Sequence, residues 1–503
     1  MSSRQNKTLF DRRTLAKGSV AAIAATRLNG SAIAQDATRA PAGPPPMAEG
    51  VTMQPLLEGL LDPRFIVVDG TDVYFTETGN GGDQPLVLPA GEGTPEPAAP
   101  VSMHGQTGKL SKLSADGTLT EIVSDFRSYT FGDHGEIVGA AGLALDGAGA
   151  AYVAVGAPGP FVGMMPRAGD EGVVYKVDLA TGEKEIVADL LQWEIDENPD
   201  PAAIDSNLYG AAFLDGMVYV ADAGGNDILA IDTATNTVST FAVTGGLPAP
   251  FLPDSGNPAR GGDMEIDSVP STINVGPDGR LYVSFVSGGP FVPGIVPVLA
   301  YSVDGSVETF AEGLTMVADL AFDSQGRMYA STISMDFINQ AAGQISRVED
   351  DGSLTMIAVV PVPAGIAFDA DDNLYSFMFS AVAPSGGTLV KYSGVADVVA
   401  GGMGSPEASP VMDTGAASVT LSNGVIEPAA LSIAADTDVT ISVVNNGTFD
   451  HDFTIEDQDL TTGLLEPGQS AELVVNLPAG EYVTFCSQPG HREAGMMGTL
   501  TVG

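Results

Sequence analysis

Cysteine, histidine, tryptophan and cationic side chains are the scarce residues of this chain. Its 503 residues include one Cys, four His and one Trp, and only 20 Lys and Arg stand against 64 Asp and Glu. A single thiol excludes an internal disulfide framework, and four imidazoles are too few for a multinuclear histidine cluster. The formal net charge of −44 repels phosphate backbones and anionic bilayers, which excludes nucleic acid as a partner. Long apolar runs are also absent. None approaches the roughly 20 residues of a membrane-spanning helix.

The one cysteine lies close to two of the few other soft or imidazole donors. Cys486, His491 and Met496 follow the pattern Cys-x4-His-x4-Met, and His451 stands upstream in Asn445-Asn446-Gly447-Thr448-Phe449-Asp450-His451-Asp452-Phe453. A thiolate and two imidazoles in a trigonal arrangement, with a weak axial thioether, form the donor set of a type 1 copper site. Met497 is the other thioether in reach, and the spacing favours Met496. Around these residues, Val439, Ile441 and Val443 alternate with polar residues, and similar short runs occur at 471–477, 480–486 and 498–502. That alternation predicts an antiparallel sandwich.

Residues 416–503 resemble the plastocyanin/cupredoxin family, most strongly in Phe485-Cys486-Ser487-Gln488-Pro489-Gly490-His491. The resemblance implies a Greek-key β-sandwich that binds one copper ion through His451, Cys486, His491 and Met496. Asp452 stands where many cupredoxins carry an Asn that ties the two ligand loops together, so a carboxylate alters the surroundings of the metal. Phe485 and Ser487 flank the cysteine, where multicopper oxidases and copper nitrite reductases carry histidines that lead to a second copper. Outer-sphere electron transfer is the expectation.

At the other end, Asp11-Arg12-Arg13-Thr14-Leu15-Ala16-Lys17 precedes a small-residue, weakly apolar stretch over 18–26, and Ala32-Ile33-Ala34 offers a cleavage site. Residues 1–34 therefore look like a twin-arginine export signal, with the periplasm, cell surface or exterior of a bacterium as the destination. Its removal takes away six basic residues and one acidic residue, moving the formal charge from −44 to −49. Residues 35–51, which include Pro41, Pro44, Pro45 and Pro46, read as a flexible leader.

The long middle of the chain repeats itself. Asp69-Gly70 with Tyr74, Asp146-Gly147 with Tyr152, Asp215-Gly216 with Tyr219, Asp278-Gly279 with Tyr282, Ser324-Gln325-Gly326 with Tyr329, and Asp371-Asp372-Asn373 with Tyr375 mark six units. Each unit carries the strand pattern of a propeller blade. Residues 52–392 are thus expected to form a six-bladed β-propeller, with residues 52–57 supplying a strand that closes the last blade, and insertions at 80–107 and 246–269. Ser206-Asn207-Leu208-Tyr209-Gly210, Tyr219-Val220-Ala221-Asp222-Ala223-Gly224-Gly225-Asn226-Asp227 and Gly276-Pro277-Asp278-Gly279-Arg280-Leu281-Tyr282-Val283 resemble the NHL/SMP-30-like superfamily, and more closely the ScyD/ScyE-type family.

Related lactonase propellers hold a cation in the axial channel. The corresponding positions here are Ala141, Tyr209, Ser271, Ala318 and Ala364, none of them a ligand for a hard cation. His104 and His134 read as ordinary hydrogen-bonding residues, and Asp222, Asp227 and Asp319 as turn residues.

Residues 393–415 read as a Gly-, Ser-, Pro- and Ala-rich linker. The whole is expected to be an all-β chain, a six-bladed β-propeller followed by a cupredoxin sandwich. The propeller acts as scaffold or recognition disc, and the acidic surface serves solubility in a salty or external medium or, as the alternative, docks a basic redox partner. The alternatives are a propeller enzyme that passes electrons to copper, and a copper-storing surface protein.

Overall fold

A computed structural model of the chain describes residues 47–503 except 87–101, 132–135, 158–166, 203, 251–263, 338–340, 350, 381–385, 400–415, 423–424, 429, 446–450, 457, 459, 467 and 489–495. The expected export signal, His134 and His491 lie outside the described residues. No helix among those described is long and apolar enough to cross a membrane.

Six antiparallel sheets of four or more strands follow one another through the first part of the chain. Their first strands are Pro63–Asp69, Ala140–Leu145, Leu208–Leu214, Pro270–Val275, Val317–Phe322 and Ile366–Phe368. Each packs against the next, and the last packs against the first. The sheets therefore stand round a closed ring, which makes this part of the chain a β-propeller. The tyrosine repeat has a physical reason. An aspartate in the turn between the first and second strands accepts turn N–H groups, and the tyrosine on the second strand donates its hydroxyl to that same carboxylate. Tyr282, Tyr329 and Tyr375 donate in this way to Asp278, Asp323 and Asp369 at 3.1, 3.2 and 3.2 Å. All six repeat tyrosines are buried. The turn itself needs a left-handed residue, which is Gly279 (φ 79°) and Gly326 (φ 79°) in two repeats and Asp372 (φ 57°) in the last.

The ring closes by strand exchange between its ends. Thr52–Leu60 pairs antiparallel with Gly387–Ser393, from Thr52 opposite Ser393 to Leu60 opposite Gly387, and completes the sheet formed by Ile366–Phe368, Leu374–Met378 and Gly387–Ser393. The ends of the ring reach further than the sequence indicated. Ala48 and Val51, read as leader, and Val395 and Val398, read as linker, are buried in one apolar cluster with Ile357 and Tyr392.

Asp319 is not a turn residue. It lies within strand Val317–Phe322 and joins three neighbouring sheets at their inner strands. Thr272 Oγ1, Asn274 Nδ2 and the Leu320 N–H donate to its Oδ1 at 2.6, 2.9 and 2.9 Å, and the Ile366 N–H donates to its Oδ2 at 2.9 Å. Burial pushes the carboxyl up to about 6, against the pull of those donors. Asp319→Ala would leave the buried Thr272 hydroxyl and the Leu320 and Ile366 N–H groups without this acceptor, and is expected to cost about 3 kcal/mol or more. Urea unfolding of the full chain checks this, and an unchanged propeller transition would contradict it.

The C-terminal part is a two-sheet sandwich. One sheet runs Val425–Glu427, Ala416–Ser422, Val439–Asn445, Ser470–Val475; the other runs Ala430–Ile433, Met497–Val502, Gly480–Phe485, Thr454–Ile455, Leu460–Thr461. Val439, Ile441 and Val443 point inward, as their alternation requires, and pack with Leu473 and Val475. The sandwich is not wholly antiparallel: Ala416–Ser422 runs parallel to Val439–Asn445, and Ala430–Ile433 runs parallel to Met497–Val502. Each of these pairs joins strands that are not consecutive in the chain, so no hairpin constrains their direction.

Candidate metal centre

Three of the four donors read from the sequence fall on described residues, and the fold brings them into one core. His451 lies between strands Val439–Asn445 and Thr454–Ile455. Its backbone exchanges two hydrogen bonds with Leu465, the His451 N–H donating at 3.1 Å and the Leu465 N–H donating back at 2.8 Å. Asn445 Nδ2 donates to the same Leu465 carbonyl at 2.7 Å. Cys486 follows strand Gly480–Phe485, and its N–H donates to the Met496 carbonyl at 3.1 Å. That bond closes the loop in which His491 stands, outside the described residues. His451, Cys486 and Met496 are all buried.

Cys486 Sγ lies 3.8 Å from His451 Nδ1. That separation fits one ion between them: metal–sulfur and metal–nitrogen bonds of about 2.3 and 2.0 Å, opened by about 120°, span nearly the same distance. A thiolate, an imidazole and a buried thioether are also the donor types that select copper over hard cations. The residues present therefore fit the group that the sequence implies. Met497 faces away: it is 42% exposed, on the strand that pairs with Phe485.

Asp452 takes up the bridging task of the family's asparagine. Its Oδ1 accepts the Ser487 N–H at 2.7 Å and its Oδ2 accepts the Ser487 hydroxyl, while its own N–H points to Cys486 Sγ at 3.5 Å. The cysteine and histidine segments are thus tied one residue away from each donor. Burial pushes the Cys486 thiol up, opposed by the Asp452 N–H, so the surroundings favour the thiol over the thiolate. Metal binding is what would remove the proton.

The remaining sequence candidates have structural tasks. His104 Nδ1 is 3.1 Å from Arg127 Nη1, and that guanidinium pairs with both oxygens of Asp170 at 2.8 Å. Burial, then the Arg127 charge, lowers the histidine's pKa. Of the five positions matched to the lactonase channel, Ala141, Tyr209, Ser271 and Ala318 sit on inner strands and Ala364 just before one. Ser271 Oγ donates to the Val317 carbonyl at 2.5 Å.

Residues 398–502 match the family described as the cupredoxin-like domain. No curated protein matches the chain. Among solved structures, it is similar to the reduced auracyanin of the photosynthetic bacterium Roseiflexus castenholzii, with 19% identity over 18% of this chain and 98% of that one and a TM-score of 0.17. Auracyanin A, a "blue" copper protein of Chloroflexus aurantiacus, is also 19% identical, over 18% of this chain and 100% of its own, with a TM-score of 0.16. Virginiamycin B lyase of Staphylococcus aureus is 14% identical over 68% of this chain and 98% of that one, with a TM-score of 0.36. The chain thus joins a β-propeller to a C-terminal cupredoxin-like domain.

Proposed function

We propose that this is an exported bacterial copper protein that transfers single electrons through one mononuclear type 1 site. His451, Cys486, His491 and Met496 would hold the ion, and the propeller would serve as scaffold or recognition disc. The observation that carries the proposal is the convergence of Cys486 Sγ and His451 Nδ1 at 3.8 Å inside a buried core.

Copper, when bound there, supplies a one-electron couple with every ligand position taken by protein. The chain's own contribution is to keep the donors in place. Leu465 pins the histidine backbone and Asp452 pins the cysteine segment, so the donor positions change little between oxidation states. The excess of acidic residues suits a basic redox partner.

The visible and electron paramagnetic resonance spectra of the copper-loaded chain test the proposal. An intense thiolate-to-Cu(II) band with one copper per chain is the expected result, and a colourless copper complex would refute it. Within that test, Met496→Leu is expected to keep the colour and raise the reduction potential, because a weak axial donor is lost. Met497→Leu is expected to leave the potential unchanged. Cyclic voltammetry separates the two, and the reverse outcome would move the axial ligand to Met497.

A further inference from the structure

The propeller holds a second cluster of metal-ligating side chains, and it is of the opposite chemical type. Glu194, Asp222 and Asp227 bring carboxylate oxygens within 4.8 Å of one another, and all three residues are buried at 0% exposure. Glu194 comes from helix Leu190–Glu197, which follows the outer strand Lys184–Asp189 of one sheet. Asp222 and Asp227 face each other as register partners at the end of a hairpin in the next sheet. The expectation that both aspartates serve the turn is right for only one of them. Asp222 Oδ1 accepts the N–H groups of Asn207, Gly224 and Gly225 at 2.7, 3.1 and 3.0 Å, and its Oδ2 accepts Ser206 Oγ at 2.7 Å. Among the described residues no N–H or hydroxyl group donates to the oxygens of Asp227 or Glu194; these two carboxyl groups lie within hydrogen-bond reach only of each other.

Two buried carboxyl groups that face each other beside the charge of Asp222, with no other donor, are held in place by a shared proton or by a cation between them. The glycine at the tip of the hairpin leaves room for it. A Cβ on Gly225 would lie 3.2 Å from Glu194 Cδ, 3.3 Å from Asp222 Cγ and 3.3 Å from Asp227 Oδ1. We propose that Glu194, Asp222 and Asp227 form a binding site for a hard divalent cation of calcium size, which clamps the helix Leu190–Glu197 to the neighbouring sheet. The all-oxygen donor set and the two carboxylates free to bind through both oxygens suit calcium, which accepts six to eight oxygens in flexible geometry. Soft thiolate and thioether donors are absent from the cluster, so it does not compete with the C-terminal site for Cu(I). Burial, then the neighbouring carboxylates, push both Glu194 and Asp227 well above the usual carboxylate range, and a bound cation would reverse that shift. Asp200 and Asp205, also buried, add to the negative field.

The test uses the full chain, loaded with copper first so that the C-terminal site is filled, then freed of other cations with a calcium-selective chelator. Isothermal titration with CaCl2 is expected to show one site per chain, and the propeller melting transition is expected to rise by several degrees in excess Ca²⁺. The double variant Glu194→Gln, Asp227→Asn is expected to lose the calcium heat. It should also reverse the order of melting: at or above the native chain in chelator, because the cost of burying and protonating two carboxylates is gone, and below it in Ca²⁺. That crossing distinguishes a cation site from a merely structural cluster. A native chain with no calcium heat and no shift in melting would overturn the proposal, as would a double variant that still binds calcium at native affinity. A shift produced equally by MgCl2 would contradict the assignment of calcium size.

Discussion

Cys486→Ser is expected to leave a colourless protein. The intense visible band of a type 1 site arises from thiolate-to-Cu(II) charge transfer, and Cys486 is the only cysteine in the chain. A serine hydroxyl keeps the shape of the side chain but stays protonated and is a poor ligand for copper. Copper affinity is therefore expected to fall together with the colour, by several orders of magnitude. The sandwich should still fold, because the substitution is nearly isosteric and the core around it is built mainly from Val419, Leu421, Ile441, Val443, Phe453 and Leu500. Absorbance and circular dichroism on the same sample read both results. A serine variant that stays blue would end the copper assignment.

The second large effect is expected from removal of the closing strand. A chain that begins after Leu60 leaves Gly387–Ser393 as an unpaired edge and strips the cover from Leu389, Phe377 and Tyr375, which share a core with Leu60. An exposed apolar edge strand invites association with other chains. The loss, of order 5 kcal/mol or more, is comparable with the whole margin that keeps a domain folded. The expected outcome in calorimetry is the disappearance of the propeller transition and concentration-dependent aggregation, while the blue band persists in the soluble fraction. An unchanged propeller transition would show that the ring does not depend on its clasp.

How much of this could be read in the sequence depends on how local the cause is. The buried tyrosines were legible because each repeats beside its own turn, and Val439, Ile441 and Val443 because a half-buried strand alternates. Cys486 and Met496 stood out because one short stretch carries them at fixed spacing with His491, and both prove buried in one core, while His491 lies outside the described residues. Glu194 was not legible: it stands in a run with Asp196 and Glu197 that looks like any solvated helix face, and it meets Asp222 and Asp227 only through packing between two sheets. Asp319 misled for a related reason. A buried aspartate with donors from three sheets has the same one-letter neighbourhood as an aspartate in a turn. Val395 and Val398 were hidden by the Gly- and Ala-rich composition around them, although two apolar side chains suffice to anchor the exit of the ring.

The pairing of Thr52 with Ser393 also fixes how the propeller would bear mechanical load. The chain enters and leaves the closing sheet at the same corner, because these two residues are register partners. A pull on the residues before Thr52 against those after Ser393 would therefore act on one backbone hydrogen bond at a time, a zipper and not a shear joint. What stands ahead of the zipper is a small apolar knot. Ala48, Val51, Val395 and Val398 share a cluster, and the Ala48 N–H is bonded to the Ile357 carbonyl at 2.8 Å. A tug arriving through the C-terminal domain meets that knot before it meets any strand. Once it slips, the strand that follows peels away at low force and the ring opens from its seam.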